Sequence, residues 1–186
     1  MVRGRSAGIF DGVKKGFYTE EDEPNPPNHY GRSKYLGELI IKGMLENYII
    51  IRASWIFGGG PQKDNKIVAK VIKQFSNPEI KGVTDRIGSP TYGKDFIETI
   101  KQLMENNEIG VFNIANKGSC SVYEFIREIV SILKPNIKVT PVDSSSFNLD
   151  AVRRRNISLL TKIKMRSWQE ALKDYLKTEW KPFLKL

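Results

Sequence analysis

From residue 29 onward the chain alternates two patterns: apolar residues every third or fourth position, and short runs that are apolar throughout. Leu36, Leu39, Ile40, Met44 and Leu45 keep a helical period and predict a helix opening near Tyr30. Residues 48–52, Tyr-Ile-Ile-Ile-Arg, follow almost at once. That run is β-branched and apolar on both sides, as a buried parallel strand requires. Residues 53–61 contain Gly58, Gly59, Gly60 and Pro61 and break all periodicity. Ile67, Val68, Val71, Ile72 and Phe75 predict a helix over 65–75, and Phe96, Ile97, Ile100, Leu103 and Met104 predict another over 92–105. Residues 110–114 read as a strand. Ser121 with Glu124, and Ser167 with Glu170, are capping-box pairs that open helices reaching to about Leu133 and Glu179. Residues 137–140 read as a strand that Pro141 ends, and residues 144–156 as a loop. There is no internal repeat and no low-complexity tract.

Helix, buried strand and Gly-rich loop form one step of a doubly wound sheet, so the expected class is α/β, a partial Rossmann-like parallel sheet with a small C-terminal α/β lobe. Residues 1–57 are expected to belong to the sheet domain and 58–186 to the lobe, with segments near 85–115 returning to the sheet. In such sheets ligands bind beyond the carboxyl ends of the strands. Tyr30 and Lys34 begin the helix, and Ser54 and Trp55 follow the strand, so both groups can face one crevice. Tyr30 and Lys34 are four residues apart and share a helix face. A free phenol titrates near pH ~10, and a neighbouring cation lowers that value. The pair therefore suits general acid catalysis, protonation of a carbonyl oxygen as hydride reaches its carbon. Trp55, after a buried strand and before three glycines, suits a wall of such a site better than a core position.

Composition narrows the alternatives. The 40% hydrophobic and 10% aromatic content is globular. No apolar run reaches the ~18 residues that span a bilayer, and no secretion leader is visible. These features and a lone cysteine, Cys120, which has no disulfide partner and reads as core filler, point to the cytoplasm. The net charge of +9 raises nucleic acid binding. Lys and Arg are spread along the chain and interleaved with Asp and Glu, with Arg153, Arg154 and Arg155 the only dense run, so an anionic small substrate fits better. His29 is the only histidine, which disfavours both a zinc site and a Ser-His-Asp triad.

Several runs together resemble a known family. They are Ile9-Phe10-Asp11-Gly12, Tyr18-Thr19-Glu20-Glu21-Asp22-Glu23-Pro24, Pro27-Asn28-His29-Tyr30-Gly31-Arg32-Ser33-Lys34 and Arg52-Ala53-Ser54-Trp55-Ile56-Phe57-Gly58. Asp85-Arg86-Ile87-Gly88-Ser89-Pro90-Thr91, residues 153–159 and Trp168-Gln169-Glu170-Ala171-Leu172 continue the likeness. The chain resembles the extended short-chain dehydrogenases/reductases, and within them the dTDP-4-dehydrorhamnose reductases. The resemblance implies NADP- or NAD-dependent reduction of a nucleotide-linked 4-keto sugar. It implies Tyr30 as proton donor, Lys34 as its pKa-lowering partner and holder of the nicotinamide ribose, and Ser6 as the hydroxyl that orients the carbonyl. Ser54 is expected on the cofactor side, and Trp55 and Arg153 on the substrate side.

The departures are as informative. No G-x-G-x-x-G or G-x-x-G-x-x-G is present, and Gly58-Gly59-Gly60 follows a late strand. Arg5 and Ser6 stand where the family has Ser-Thr, Ala7 where many members have Asp, Arg154 where the family has Pro and Ile157 where it usually has Ser. The expectation is the C-terminal part of a reductase, functioning with a complementing N-terminal chain or as a homo-oligomer. The alternative is a non-catalytic relative, similar to the regulatory subunit of methionine adenosyltransferase. The residue that chooses NAD or NADP lies on a strand this sequence does not contain.

Overall fold

The structure is a computed structural model and describes residues 2–147 and 155–185. A three-stranded parallel sheet underlies the site. β1 (Val2–Ser6) runs into a 3-10 turn (Ala7–Ile9), and α1 (His29–Met44) crosses to β2 (Ile49–Ala53). β3 (Ile56–Phe57), α2 (Gly60–Lys63) and α3 (Ile67–Ile72) follow, then β4 (Glu79–Val83), β5 (Ile87–Gly88) and β6 (Thr91–Tyr92). α4 (Gly93–Glu105) leads back into β7 (Gly110–Ile114). The sheet order is β1-β2-β7, with Ile51 opposite Gly4 on one side and Phe112 on the other. Every residue of β2 is buried, because both faces and both edges of this central strand are covered.

The remaining elements build the second lobe. β8 (Cys120–Ser121), α5 (Val122–Leu133), β9 (Lys138–Val142), β10 (Asn156–Ile157) and α6 (Trp168–Tyr175) follow in order. β4 pairs with β9, β3 with β6, and β5 lies between β8 and β10. Both capping boxes form, at Ser121 with Glu124 and at Ser167 with Glu170. They fix the helix starts so that Phe125, Ile129 and Leu172 enter the largest core. Phe57 and Tyr92 stack there at 5.4 Å, with Tyr175 tilted against both, which ties β3 and β6 to α6. Cys120 is buried in this core, and burial pushes its thiol well above the ordinary range, so it stays protonated.

The structure adds to or departs from the sequence patterns at four points. The apolar stripe of α1 faces outward: Leu36, Leu39, Ile40 and Met44 are exposed, and Gly31, Glu38 and Ile41 are buried. A buried arginine on β2 explains this, because Arg52 requires a carboxylate and Glu38 supplies it from the inner face of α1. Pro141 lies within β9, opposite Gly82. Among the described residues β9 pairs only with β4, and on an edge strand a missing N–H need not cost a ladder bond. The helix expected over 65–75 is the shorter α3, preceded by α2 inside the Gly-rich loop. The last helix breaks after Tyr175 into a π turn (Leu176–Trp180) before α7 (Lys181–Leu184). Pro182 has no N–H to continue an α-helical ladder there.

Candidate active site

A cavity of about 1160 Å³ opens beyond the carboxyl ends of β1 and β2. Ser6 reaches it from the end of β1, Tyr30 from the first turn of α1, and Trp55 from the link between β2 and β3. Three segments far apart in sequence thus converge on one space. Asn28 caps α1, its side-chain oxygen accepting the Gly31 N–H at 2.9 Å, and this cap sets where Tyr30 falls on the first turn. The Lys34 ammonium lies 5.2 Å from the centroid of the Tyr30 ring, as the four-residue spacing predicts. The Ser6 hydroxyl accepts the Gly8 N–H at 3.1 Å, and its own proton has no acceptor among the described residues. A hydroxyl held this way can donate to a carbonyl oxygen placed in the cavity.

Ser54 is not on the wall. It is 3% exposed, its Oγ accepts the Ser89 N–H at 3.4 Å, and its carbonyl accepts the Thr91 hydroxyl at 2.7 Å. A side chain so enclosed acts as scaffold, which corrects its expected role as a direct cofactor contact. Trp55 is on the wall, with a backbone φ of 37°, a left-handed value that a bulky side chain seldom takes. Such a conformation costs roughly 1–3 kcal/mol and persists only where its surroundings enforce it. Arg153 lies outside the described residues.

The sequence patterns missed the opposite wall. Lys63 at the end of α2, Lys66 just before α3 and Lys70 on α3 line the cavity with Arg86. Asp64 lies among them, but its carboxylate accepts from the Tyr175 hydroxyl and from the Lys66 N–H, each at 2.8 Å. Burial, then the bond to Asp64, pushes the Tyr175 phenol well above its usual range, so it remains a donor. The cavity lining therefore combines cationic side chains with apolar surface from Phe57, Ile87 and Ile157. The lysine spacing of three and four was visible in the sequence, but only the fold shows that it borders a cavity. Among the described residues, no cluster of three or more His, Cys, Asp or Glu is placed to hold a metal ion, and no helix is long and apolar enough to cross a membrane.

Residues 4–180 match the family model described as the RmlD substrate binding domain. The spore coat polysaccharide biosynthesis protein SpsK of Bacillus subtilis is 32% identical over 175 residues, covering 90% of this chain and 60% of that protein. A solved dTDP-4-dehydrorhamnose reductase from Clostridium acetobutylicum superposes with a TM-score of 0.90 at 30% identity, over 100% of this chain and 66% of that one. The Bacillus anthracis dTDP-4-dehydrorhamnose reductase, solved in complex with NADP, gives a TM-score of 0.86 at 33% identity, over 95% of this chain and 64% of that one. The chain thus spans less than two thirds of the length of these proteins.

Proposed function

The chain belongs to the family of RmlD substrate-binding domains, and from that premise we propose that it carries the acid–base pair and the substrate wall of an NADP- or NAD-dependent reductase acting on a nucleotide-linked 4-keto sugar. The observation that carries this reading is the convergence of Ser6, Tyr30 and Trp55 on one cavity, with the Lys34 ammonium over the Tyr30 ring. Residues 1–57 form its cofactor-facing part and 58–186 its substrate lobe, with 110–114 returning to the sheet.

The residues present fit one end of a nicotinamide cofactor. Tyr30 and Lys34 suit its nicotinamide ribose, whereas a Gly-rich turn to hold a pyrophosphate is not in this sequence. When bound, the cofactor supplies hydride to the carbonyl carbon. Tyr30 gives its hydroxyl proton to the carbonyl oxygen, and the Lys34 charge favours the phenolate left behind. Ser6 donates a hydrogen bond to the same oxygen and orients it. Trp55, Phe57 and Ile87 offer apolar surface to the sugar, and Lys63, Lys66 and Lys70 attract the diphosphate. The family resemblance assigns Arg153 to the substrate side. The exposed Leu36, Leu39, Ile40 and Met44 supply a face for a second copy or for a chain bearing the Gly-rich half. A cytoplasmic setting suits the sugar-nucleotide substrate and the reduced Cys120.

The test has two arms. Calorimetry of this chain with dTDP-rhamnose should detect binding, abolished by Lys63→Glu with Lys66→Glu. NADPH oxidation with the 4-keto sugar nucleotide should require an added N-terminal half and be lost with Tyr30→Phe. Binding without turnover in the complemented enzyme would favour the non-catalytic relative.

A further inference from the structure

We infer that Gly88, Ser89 and Thr91 form a clip whose task is to position the Trp55 ring, and so to set the shape of the sugar-facing wall; this rests on the proposed substrate and sharpens it. The observation begins with the backbone. Ser54 and Trp55 are the two-residue link between β2 and β3, and Trp55 holds a φ of 37°. A bulky residue stays in that region only when its neighbours over-determine it.

The neighbours are all on one segment. The Thr91 hydroxyl donates to the Ser54 carbonyl at 2.7 Å, and the Thr91 N–H donates to the Trp55 carbonyl at 3.2 Å. The Ser89 N–H donates to the Ser54 Oγ at 3.4 Å. Ser54 is 3% exposed, and Ser89 and Thr91 are fully buried, so water does not compete for these bonds. The side chain is held as firmly. A Cβ built on Gly88 would lie 2.5 Å from Trp55 Cε2, 2.7 Å from Cδ2 and 2.8 Å from Nε1. The indole thus rests on the bare Cα of Gly88. Gly88 is not among the residues with positive φ, so its backbone does not call for glycine. The seated ring does.

The clip is itself anchored. The Leu159 N–H donates to the Ser89 Oγ at 3.1 Å, and the Ser89 hydroxyl donates back to the Leu159 carbonyl at 3.4 Å. Ile157, two residues earlier, lines the same cavity as Trp55. Ser89 therefore locks the two wall residues, about a hundred positions apart in sequence, to a common support. Gly88, Ser89 and Thr91 are not lining residues of the cavity, so their effect on a bound sugar passes through Trp55 and Ile157.

Two measurements test this. The first needs no ligand. Acrylamide quenching is compared between the wild type and Trp55→Phe, and between Gly88→Ala and Gly88→Ala with Trp55→Phe. Each difference isolates Trp55 from the buried Trp168 and Trp180. Gly88→Ala should make the Trp55 component more quenchable at unchanged far-ultraviolet circular dichroism. Thr91→Val should act in the same direction, and Thr91→Ser, which keeps the hydroxyl, should restore wild-type behaviour. If Gly88→Ala does not fold, the Thr91 pair decides alone.

The second measurement is calorimetric binding of dTDP-rhamnose. Gly88→Ala and Trp55→Ala should each weaken it about tenfold, the factor that ~1.4 kcal/mol of lost contact produces. In the Trp55→Ala background, Gly88→Ala should add nothing. An unchanged Trp55 component in folded Gly88→Ala overturns the clip, as does a further tenfold loss when Gly88→Ala is added to Trp55→Ala. If the wild type binds no sugar nucleotide, the proposed substrate falls, and the quenching result still decides whether Gly88 and Thr91 hold Trp55.

Discussion

Arg52 and Glu38 form an ion pair at 2.8 Å in which neither side chain is more than 2% exposed. The pair joins the central strand β2 to the inner face of α1, the helix that carries Tyr30 and Lys34. The Arg52 guanidinium also lies 5.4 Å from the Phe10 ring centroid. Removing one member of such a pair leaves an uncompensated buried charge and costs about 3–5 kcal/mol. Glu38→Gln and Arg52→Met should each destabilise by that order in urea unfolding. The double variant Glu38→Leu with Arg52→Met should lose clearly less than the sum, because no charge is stranded. Additive losses would show that the two groups are not coupled.

Two glycines should respond to alanine with opposite signs. A Cβ at Gly82 would lie 2.7 Å from the Tyr123 Cα, where β4 packs on α5 and backbone cannot yield cheaply. Gly82→Ala should therefore cost about 1–3 kcal/mol, the usual range for overpacking. Gly43 lies in the last turn of α1 with nothing within 4 Å of an added Cβ. Gly43→Ala should stabilise by up to ~0.5–1 kcal/mol through helix propensity. Chemical denaturation of both variants checks the pair of signs.

Asp11 gives a pH dependence. The Tyr18 hydroxyl donates to its carboxylate at 2.7 Å, and this bond, with the Val13 N–H, holds the Asp11 carboxyl below the ordinary value. A depressed folded-state pKa contributes stability that is present above the unfolded value, near pH ~3.9 for aspartate, and that is lost as pH falls through the folded value. The wild type should thus melt higher than Asp11→Asn at pH 6, and the gap should narrow as pH is lowered past the unfolded value and through the depressed folded one. A gap that widens on acidification would reverse the assigned sign.

Much of this fold was legible where a local signal suffices. Each capping box fixed a helix start, because one Ser and one Glu satisfy two backbone donors without help from the rest of the chain. The run from Gly110 to Ile114 is a strand as its pattern predicts. β1 was missed because Arg3, Gly4 and Arg5 interrupt any apolar run. β3, β5, β6, β8 and β10 have two residues each, too few to show a period. The orientation of α1 could not be read from its own sequence, since the partner that turns Glu38 inward is on β2. The site divides in the same way. Tyr30 and Lys34 were visible through helical spacing, whereas burying Ser54 depends on hydrogen bonds from Ser89 and Thr91, 35 and 37 positions away.

Tyr30 and Lys34 support the last prediction, which concerns chemistry in an enzyme supplied with the Gly-rich half. Tyr30→Phe removes the donated proton and keeps the ring that lies against the Lys34 ammonium. General acid catalysis of this kind contributes about 10²–10⁴-fold, so turnover should fall by that order. Sugar-nucleotide affinity should change little, because the hydroxyl acts mainly as charge builds on the carbonyl oxygen. Lys34→Met removes the ammonium that lies against the Tyr30 ring, so turnover should fall although the Tyr30 hydroxyl is kept. Trp55→Ala should behave differently, raising KM more than it lowers kcat, since the proposed role of Trp55 is contact with the substrate and not with the transferred proton. Steady-state kinetics across pH 6–9 separate the three variants. A Tyr30→Phe enzyme that turns over at the wild-type rate throughout that range would remove Tyr30 as the acid, leaving two residues that share one turn of α1.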